Sequence, residues 1–456
     1  MQHIQGISRH QLQMSSLEDK ITADNPVRFI DAFVNHIDAV KIGFQPKILK
    51  TEGRPNFRLE VFLKLYLYGY LNGVRSSRRL EKECFRNIEV QWLLEAIYPN
   101  YHSIADFRKD NPKALKQLFK LFVSFLKDAE LIAGDTIAID GTKSRAHNSK
   151  KANYNQKKID KHKAYIDAKS QEYLDQLEQN DIQENPVVIK NIQQKIEGLK
   201  QNKIKYELLE EELKNSGEPQ ISTTDADARA LLVQGQVVEV SYNIQAAVDS
   251  KHNLVVATHT INRNDKNALA AIALEVKENL ALETFTVLVD KGYHNGRELH
   301  TCKQNNITTI VAVPEQGKSN ENGTQPEYLV SKFIYNKENN SYTCPEGKTL
   351  TTTGSWHKKT GRTEESGYNF QKYRTPACKT CLVKDLCTSR NGGREIDRSQ
   401  YADAVEENHQ RYKDNPQLYR KRQEINEHIF GTIKRKWGYN YTDLVGLEKV
   451  NGEHSL

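Results

Sequence analysis

Thr136-Ile-Ala-Ile-Asp140 and Thr284-Phe-Thr-Val-Leu-Val-Asp290 are the stretches whose reading decides the fold. Each is a short β-branched run that stops on an aspartate. Val, Ile and Thr suit a buried pleated strand, so each run delivers an acid from a strand's tip. Around them, 237–248 and 254–261 alternate as a hairpin does, joined through Asp249-Ser-Lys-His-Asn253. Residues 267–279 form an Ala/Leu-rich amphipathic stretch, and 308–313 a further strand. The late segment Arg420-Lys-Arg-Gln-Glu-Ile-Asn-Glu-His-Ile-Phe-Gly-Thr-Ile-Lys-Arg-Lys-Trp437 reads as a helix. On an unbroken helix Arg420, Glu427 and Lys434, seven apart, project from nearly one face.

The order is strand, insertion, two paired strands, helix, strand, helix, strand, insertion, helix. It predicts an α/β fold: a ribonuclease-H-like catalytic domain over 131–456, interrupted twice. In that layout Asp140 and Asp290 come from adjacent strands and Glu427 from the late helix. Such a trio suits metal-assisted phosphodiester chemistry. Two divalent ions about 4 Å apart activate the attacking oxygen and stabilise the leaving one, and they need hard oxygen ligands. Arg420, Arg422 and Lys434 supply charge for phosphate.

An all-α domain is expected over 1–130. Residues 57–72 carry apolar side chains at helical spacing, Ser76 and Ser103 are positioned to cap helices, and Pro112 suits a first turn. The first insertion, 150–215, repeats Ile159, Ile166 and Tyr173 every seven residues, then Ile192, Leu199, Tyr206 and Leu213. This predicts two helices folded back as a coiled-coil-like arm. The second insertion, 315–405, is Gly/Asn/Thr-rich and holds four of the six cysteines. Cys378-x2-Cys381, followed by Cys387 and preceded by the distant Cys344, has spacing that fits tetrahedral Zn²⁺. Cys84 and Cys302 have no ligand-like neighbours.

Composition narrows the class. With 27% charged residues and a mean hydropathy of −0.73, the 456-residue chain does not read as a membrane protein. No run approaches the roughly 20 apolar residues of a spanning helix, and residues 1–16 lack the layout of a signal peptide. A cytosolic protein is expected. The formal net charge of +7 and pI near 8.8 favour nucleic acid, with basic clusters at 143–163 and 420–436.

At these residues the chain resembles the DD(E/D) transposases of bacterial insertion sequences. The stretches that carry the resemblance run in order along nearly the whole chain: Leu67-Tyr-Gly-Tyr-Leu-Asn-Gly-Val-Arg-Ser-Ser-Arg-Arg-Leu-Glu81, His102-Ser-Ile-Ala-Asp-Phe-Arg108 and Ala138-Ile-Asp-Gly-Thr-Lys143; then Ser222-Thr-Thr-Asp-Ala-Asp-Ala-Arg229 and Tyr242-Asn-Ile-Gln-Ala-Ala-Val-Asp249; and finally Leu288-Val-Asp-Lys-Gly-Tyr293 and Glu427-His-Ile-Phe-Gly-Thr-Ile-Lys434. The resemblance implies Asp140, Asp290 and Glu427 as catalytic metal ligands for two Mg²⁺ or Mn²⁺ ions. It also implies double-stranded DNA as partner (transposon ends and target), a homodimer in the synaptic complex, and a nucleoid-associated cytoplasmic location. Related cut-and-paste families carry Tyr-x2-Arg-x3-Glu-x6-Lys. Only the Glu427-x6-Lys434 half fits directly, leaving Glu424 as a rival acid and Arg420 or Arg422 for the arginine. An insertion at the cysteine-bearing point helps hold a flipped base in related enzymes, which makes Trp356 a stacking candidate. Family members usually continue past Asn451-Gly-Glu-His-Ser-Leu456, so a truncated chain is expected. Two other readings fit: a nuclease of the same fold without strand transfer, and an inactive transposase-derived DNA-binding protein.

Overall fold

The computed structural model describes residues 6–12, 14–45, 55–147, 150–181, 186–234, 237–314, 324–361 and 367–456. They fall into two compact units. The first comprises Met1–Ala133, Gly141–Asn264 and Asn426–Leu456; the second comprises Gly134–Asp140 and Asp265–Ile425.

In the first unit the chain begins with α1 (Pro26–His36), α2 (Leu59–Leu71), α3 (Ser77–Arg86), α4 (Ile88–Leu93), α5 (Tyr101–Asp110) and α6 (Pro112–Asp128). Asn25 caps α1 by accepting from Val27 N at 3.0 Å, and Pro112 opens α6. The helix expected to start at Ser103 starts earlier. Asn100 is its cap, and Ser103 N donates to Asn100 Oδ1 at 2.8 Å. The amide oxygen of the residue directly before the helix takes the cap in place of the serine hydroxyl. α2 buries Leu63, Leu65 and Tyr66 completely, which makes it the centre of this helical core.

Strand β1 (Thr136–Arg145) begins in the second unit and passes into the first after Asp140. In the first unit follow β2 (Asn153–Tyr154), the arm helices α7 (Gln156–Asp181) and α8 (Pro186–Ser216), and β3 (Ile221–Ser222). The arm is the expected antiparallel pair: Lys163 bonds Glu210 at 2.8 Å and Lys203 bonds Asp167 at 2.7 Å. Its heptad residues Ile159, Ile166, Ile192 and Leu213 are buried. After it come β4 (Arg229–Gln234), β5 (Val237–Asp249) and β6 (Val255–Ile261). β5 pairs antiparallel with both β4 and β6 and is bonded to β1. Ala146 N donates to Val240 O at 3.0 Å just beyond β1.

The second unit continues through α9 (Leu269–Asn279), β7 (Phe285–Val289), α10 (Gly296–Gln304) and β8 (Ile307–Val311). β1 pairs parallel with β7, and β7 with β8. Two three-stranded antiparallel sheets follow. One holds β9 (Ile334–Asn336), β10 (Ser341–Thr343) and β11 (Thr349–Thr351); the other holds β12 (Trp356–Lys359), β13 (Tyr368–Tyr373) and, after α11 (Lys384–Cys387), β14 (Ile396–Ser399). Phe333, Tyr342, Leu350, Tyr373 and Ile396 form their shared core. Then come α12 (Ala402–Asp414) and α13 (Pro416–Gly431). Asn408 on α12 satisfies the open edge of β8, donating to Val311 O at 3.0 Å and accepting from Val311 N at 2.9 Å. The fold is α/β of the ribonuclease-H-like kind, with a helical N-terminal region.

The first unit closes with α14 (Leu447–Glu453) against α6. A β-carbon on Gly452 would sit 2.6 Å from Pro112 Cα, so this crossing requires glycine. Glu453 is buried with Arg75 at 3.5 Å and Arg108 at 4.0 Å, and Arg108 also reaches Asp443 at 3.4 Å. Among the described residues no helix is long and apolar enough to cross a membrane.

Candidate active site

The second unit supplies the clearest geometry. β1 and β7 are in register through Ala138↔Leu288. Asp140, inside β1, and Asp290, just past the end of β7, each stand two residues beyond that last pair. Neighbouring parallel strands run about 4.8 Å apart. Asp290 is fixed by accepting from Gly292 N at 2.7 Å. A β-carbon at Gly292 would come within 3.0 Å of Asp290 Oδ1, which explains the small residue there.

Arg422 on α13 meets Asp140 at 3.5 Å. It also lies near Tyr419, its guanidinium 5.9 Å from the ring centroid. Burial pushes the Tyr419 hydroxyl upward in pKa and the Arg422 charge opposes this, while Asp290 is near enough to raise it further. Asp140, Asp290, Tyr419 and Arg422 thus form one neighbourhood. Of the two candidate arginines, Arg422 pairs with Asp140, whereas Arg420 is exposed. Tyr419 was missed in the sequence. The signal was present, since Tyr419-x2-Arg422 satisfies the first half of the signature one residue further from Glu427 than the pattern asks.

Glu427 is exposed. At about 100° per residue, α13 turns it roughly 140° from Arg422 and places it on the stripe of Arg420 and Glu424. Asn426, four residues after Arg422, is buried with both amide atoms unpartnered. The single stripe expected for Arg420, Glu427 and Lys434 is interrupted, because Thr432–Lys436 is π-helical. A wider turn shifts the phase of everything after it, and π turns concentrate at functional sites. Lys434 Nζ donates to Lys143 O at 2.6 Å, and burial lowers its pKa.

Among the described residues no group of three or more His, Cys, Asp and Glu side chains is arranged to hold a metal ion. Asp140 and Asp290 belong to the second unit and Glu427 to the first. Two exposed-end carboxylates are the hard donors that Mg²⁺ or Mn²⁺ takes, so the donor chemistry fits even though a closed site is not formed. His294, four residues past Asp290, has Nε2 unpartnered, and burial and then His409 lower its pKa. Trp356 is 56% exposed on β12, available to a partner instead of covering a core. Cys344, Cys378, Cys381 and Cys387 line one small cavity, while Cys84 and Cys302 are buried singly, their thiols pushed up to about 12 by burial.

Family comparison bears on both ends of the chain. Residues 15–110 match a transposase domain (DUF772), and residues 343–456 match a transposase DDE domain. Both matches are to transposase domains, one at each end of the chain, consistent with a DDE insertion-sequence transposase. The second match contains Tyr419, Arg422 and Glu427 and the whole π-helical segment. No curated protein and no solved structure matched the chain.

Proposed function

We propose that this transposase binds the terminal inverted repeats of its own insertion sequence, cuts there with a divalent cation, and joins the freed end to target DNA. The observation that carries the reading is the Arg422–Asp140 ion pair on α13 and β1, with Tyr419 near both Arg422 and Asp290. Asp140, Asp290 and Glu427 would hold the cation, Mg²⁺ or Mn²⁺, which supplies Lewis acidity at the scissile phosphate. Water oxygen attacks phosphorus, the P–O3′ bond breaks, and the 3′ oxygen leaves as a hydroxyl. That hydroxyl then attacks a target phosphodiester, releasing a target 3′ hydroxyl.

The chain's own residues orient these steps. Arg422 holds the Asp140 carboxylate in place until the cation and phosphate compete for it. Lys434, with Arg420 and Trp356 at the surface, contacts the DNA chain. Residues 1–130 bind the ends, 131–456 form the catalytic domain, and a homodimer joins two ends.

Alanine at Asp290 tests the reading with DNA bearing the terminal repeats. Cleavage should vanish while end binding persists in a gel-shift assay. Loss of both, or retention of cleavage, overturns the assigned role. A pre-cleaved end that is never joined to target would leave a nuclease of the same fold.

A further inference from the structure

Cys344 arrives on the turn after β10, and Cys378, Cys381 and Cys387 arrive on the segment between β13 and β14. All four nevertheless line a single cavity of about 30 Å³, closed by Phe333, Leu350 and Val383. A void of that size accommodates roughly one water-sized guest. We infer that this cavity is a structural zinc site with Cys344, Cys378, Cys381 and Cys387 as its ligands. It goes beyond the DNA reaction, since none of these sulfurs belongs to the neighbourhood of Asp140 and Asp290.

The backbone prepares the sulfurs as acceptors. Gly347 N donates to Cys344 O at 2.9 Å, and Lys348 N donates to Cys344 Sγ at 3.3 Å, so the Cys344-Pro-Glu-Gly-Lys348 turn points an N–H at the sulfur. Cys378 lies within the single turn Pro376–Thr380, Cys381 directly follows it, and Cys387 ends α11. Gly393 presses on this group: with φ +90, a β-carbon there would lie 2.4 Å from Cys378 Cβ. Arg394 also lines the cavity and donates to Cys387 O at 3.3 Å, placing a positive charge beside the sulfurs.

All four cysteines are free of disulfides. Four thiols facing one void are a poor structural solution alone. S–H groups bond weakly, and several thiolates repel one another without a cation. A tetrahedral divalent ion removes both problems, releasing the thiol protons as it binds. The sulfurs line the void without yet forming a closed metal site, so binding draws them inward from its wall. Four sulfurs select zinc over Mg²⁺ or Mn²⁺, which prefer oxygen.

The test uses the full chain, purified reduced without chelator, with metal content read by mass spectrometry. About one zinc per chain is expected. Exchange to Co²⁺ should give thiolate-to-cobalt charge transfer and intense tetrahedral d–d bands. C381S and C387S should each lose stoichiometric zinc, whereas C84S and C302S should keep it. Zinc-free wild-type protein, a weak octahedral cobalt spectrum, or a disulfide in place of metal would overturn the site. The wild-type cobalt spectrum stands even if a cysteine variant fails to fold. No DNA enters the measurement, so its outcome is separate from that of the cleavage assay.

Discussion

Asp140, inside β1, and Asp290, just past the end of β7, each stand two residues beyond the paired Ala138 and Leu288. Pairing of the two strands brings these stretches, far apart in the chain, together before any ligand arrives. Carboxylates placed this close repel one another, which is tolerable at a strand end open to water or beside a cation.

Replacing Asp290 with Asn removes the charge but keeps an oxygen able to accept from Gly292 N. The turn should survive and thermal unfolding should be unchanged. Nicking of repeat-bearing plasmid should fall by at least about a hundredfold, the scale of losing one preorganised electrostatic group. Near-normal nicking by Asp290→Asn would remove the pair from the chemistry.

Arg422 gives a second test. Lys at 422 keeps the charge but not the planar fork that grips a carboxylate, so Arg422→Lys should slow cleavage roughly tenfold and Arg422→Ala more. On the same helix, Glu427→Gln should abolish cleavage and Glu424→Gln should spare it. The opposite result would transfer the third acid to Glu424, which occupies the same exposed stripe.

Stability of the first unit should depend on Arg108. Its guanidinium is buried against Tyr70, Asp443 and Glu453. Removing one partner leaves a buried charge uncompensated, so Arg108→Ala should cost about 3–5 kcal/mol in urea unfolding. A cost below about 1 kcal/mol would mean the network behaves as a surface pair.

Two histidines set a pH dependence. Burial lowers the pKa of His454, whose Nδ1 lies 2.8 Å from Val450 O, and burial followed by His409 lowers that of His294. When folded both hold a proton less readily than the unfolded chain, which takes up their protons near the ordinary 6.5. Their stabilising contribution is complete above that value and is lost as pH falls below it. The melting temperature should therefore drop from about pH 7.5 to about pH 5.5, and His454→Gln should flatten the slope. An unchanged slope would assign the drop to other groups.

Much of this was readable from residue order. The β-branched run before Asp290, the hairpin of β5 and β6, and the heptads of the arm each follow from side-chain period, and each appears within a residue or two; the strand expected to stop at Asp140 instead runs on to Arg145, because its polar second half is paired within the sheet. β4 was not readable, because Arg229-Ala-Leu-Leu-Val-Gln234 is as apolar as a helix segment and only its partner β5 makes it a strand. The cap at Asn100 was hidden by a better-known motif three residues on. Tyr419 was hidden by one extra residue in the signature's spacing. The phase of Lys434 could not be read, since nothing in Thr-Ile-Lys-Arg-Lys announces a π turn. Cysteine spacing indicated a shared site, but only the folded chain brings Cys344 to the others.

The arm leaves and returns through a clasp of two short strands, with Asn153 opposite Ser222 and Tyr154 opposite Ile221. Because its two feet are already pinned together, the entropy of closing that excursion is met at the base and not along its length. Whole heptads can be added to or deleted from α7 and α8 together without tugging on the sheet. The arm is therefore an adjustable ruler, free to change reach while its two feet stay pinned.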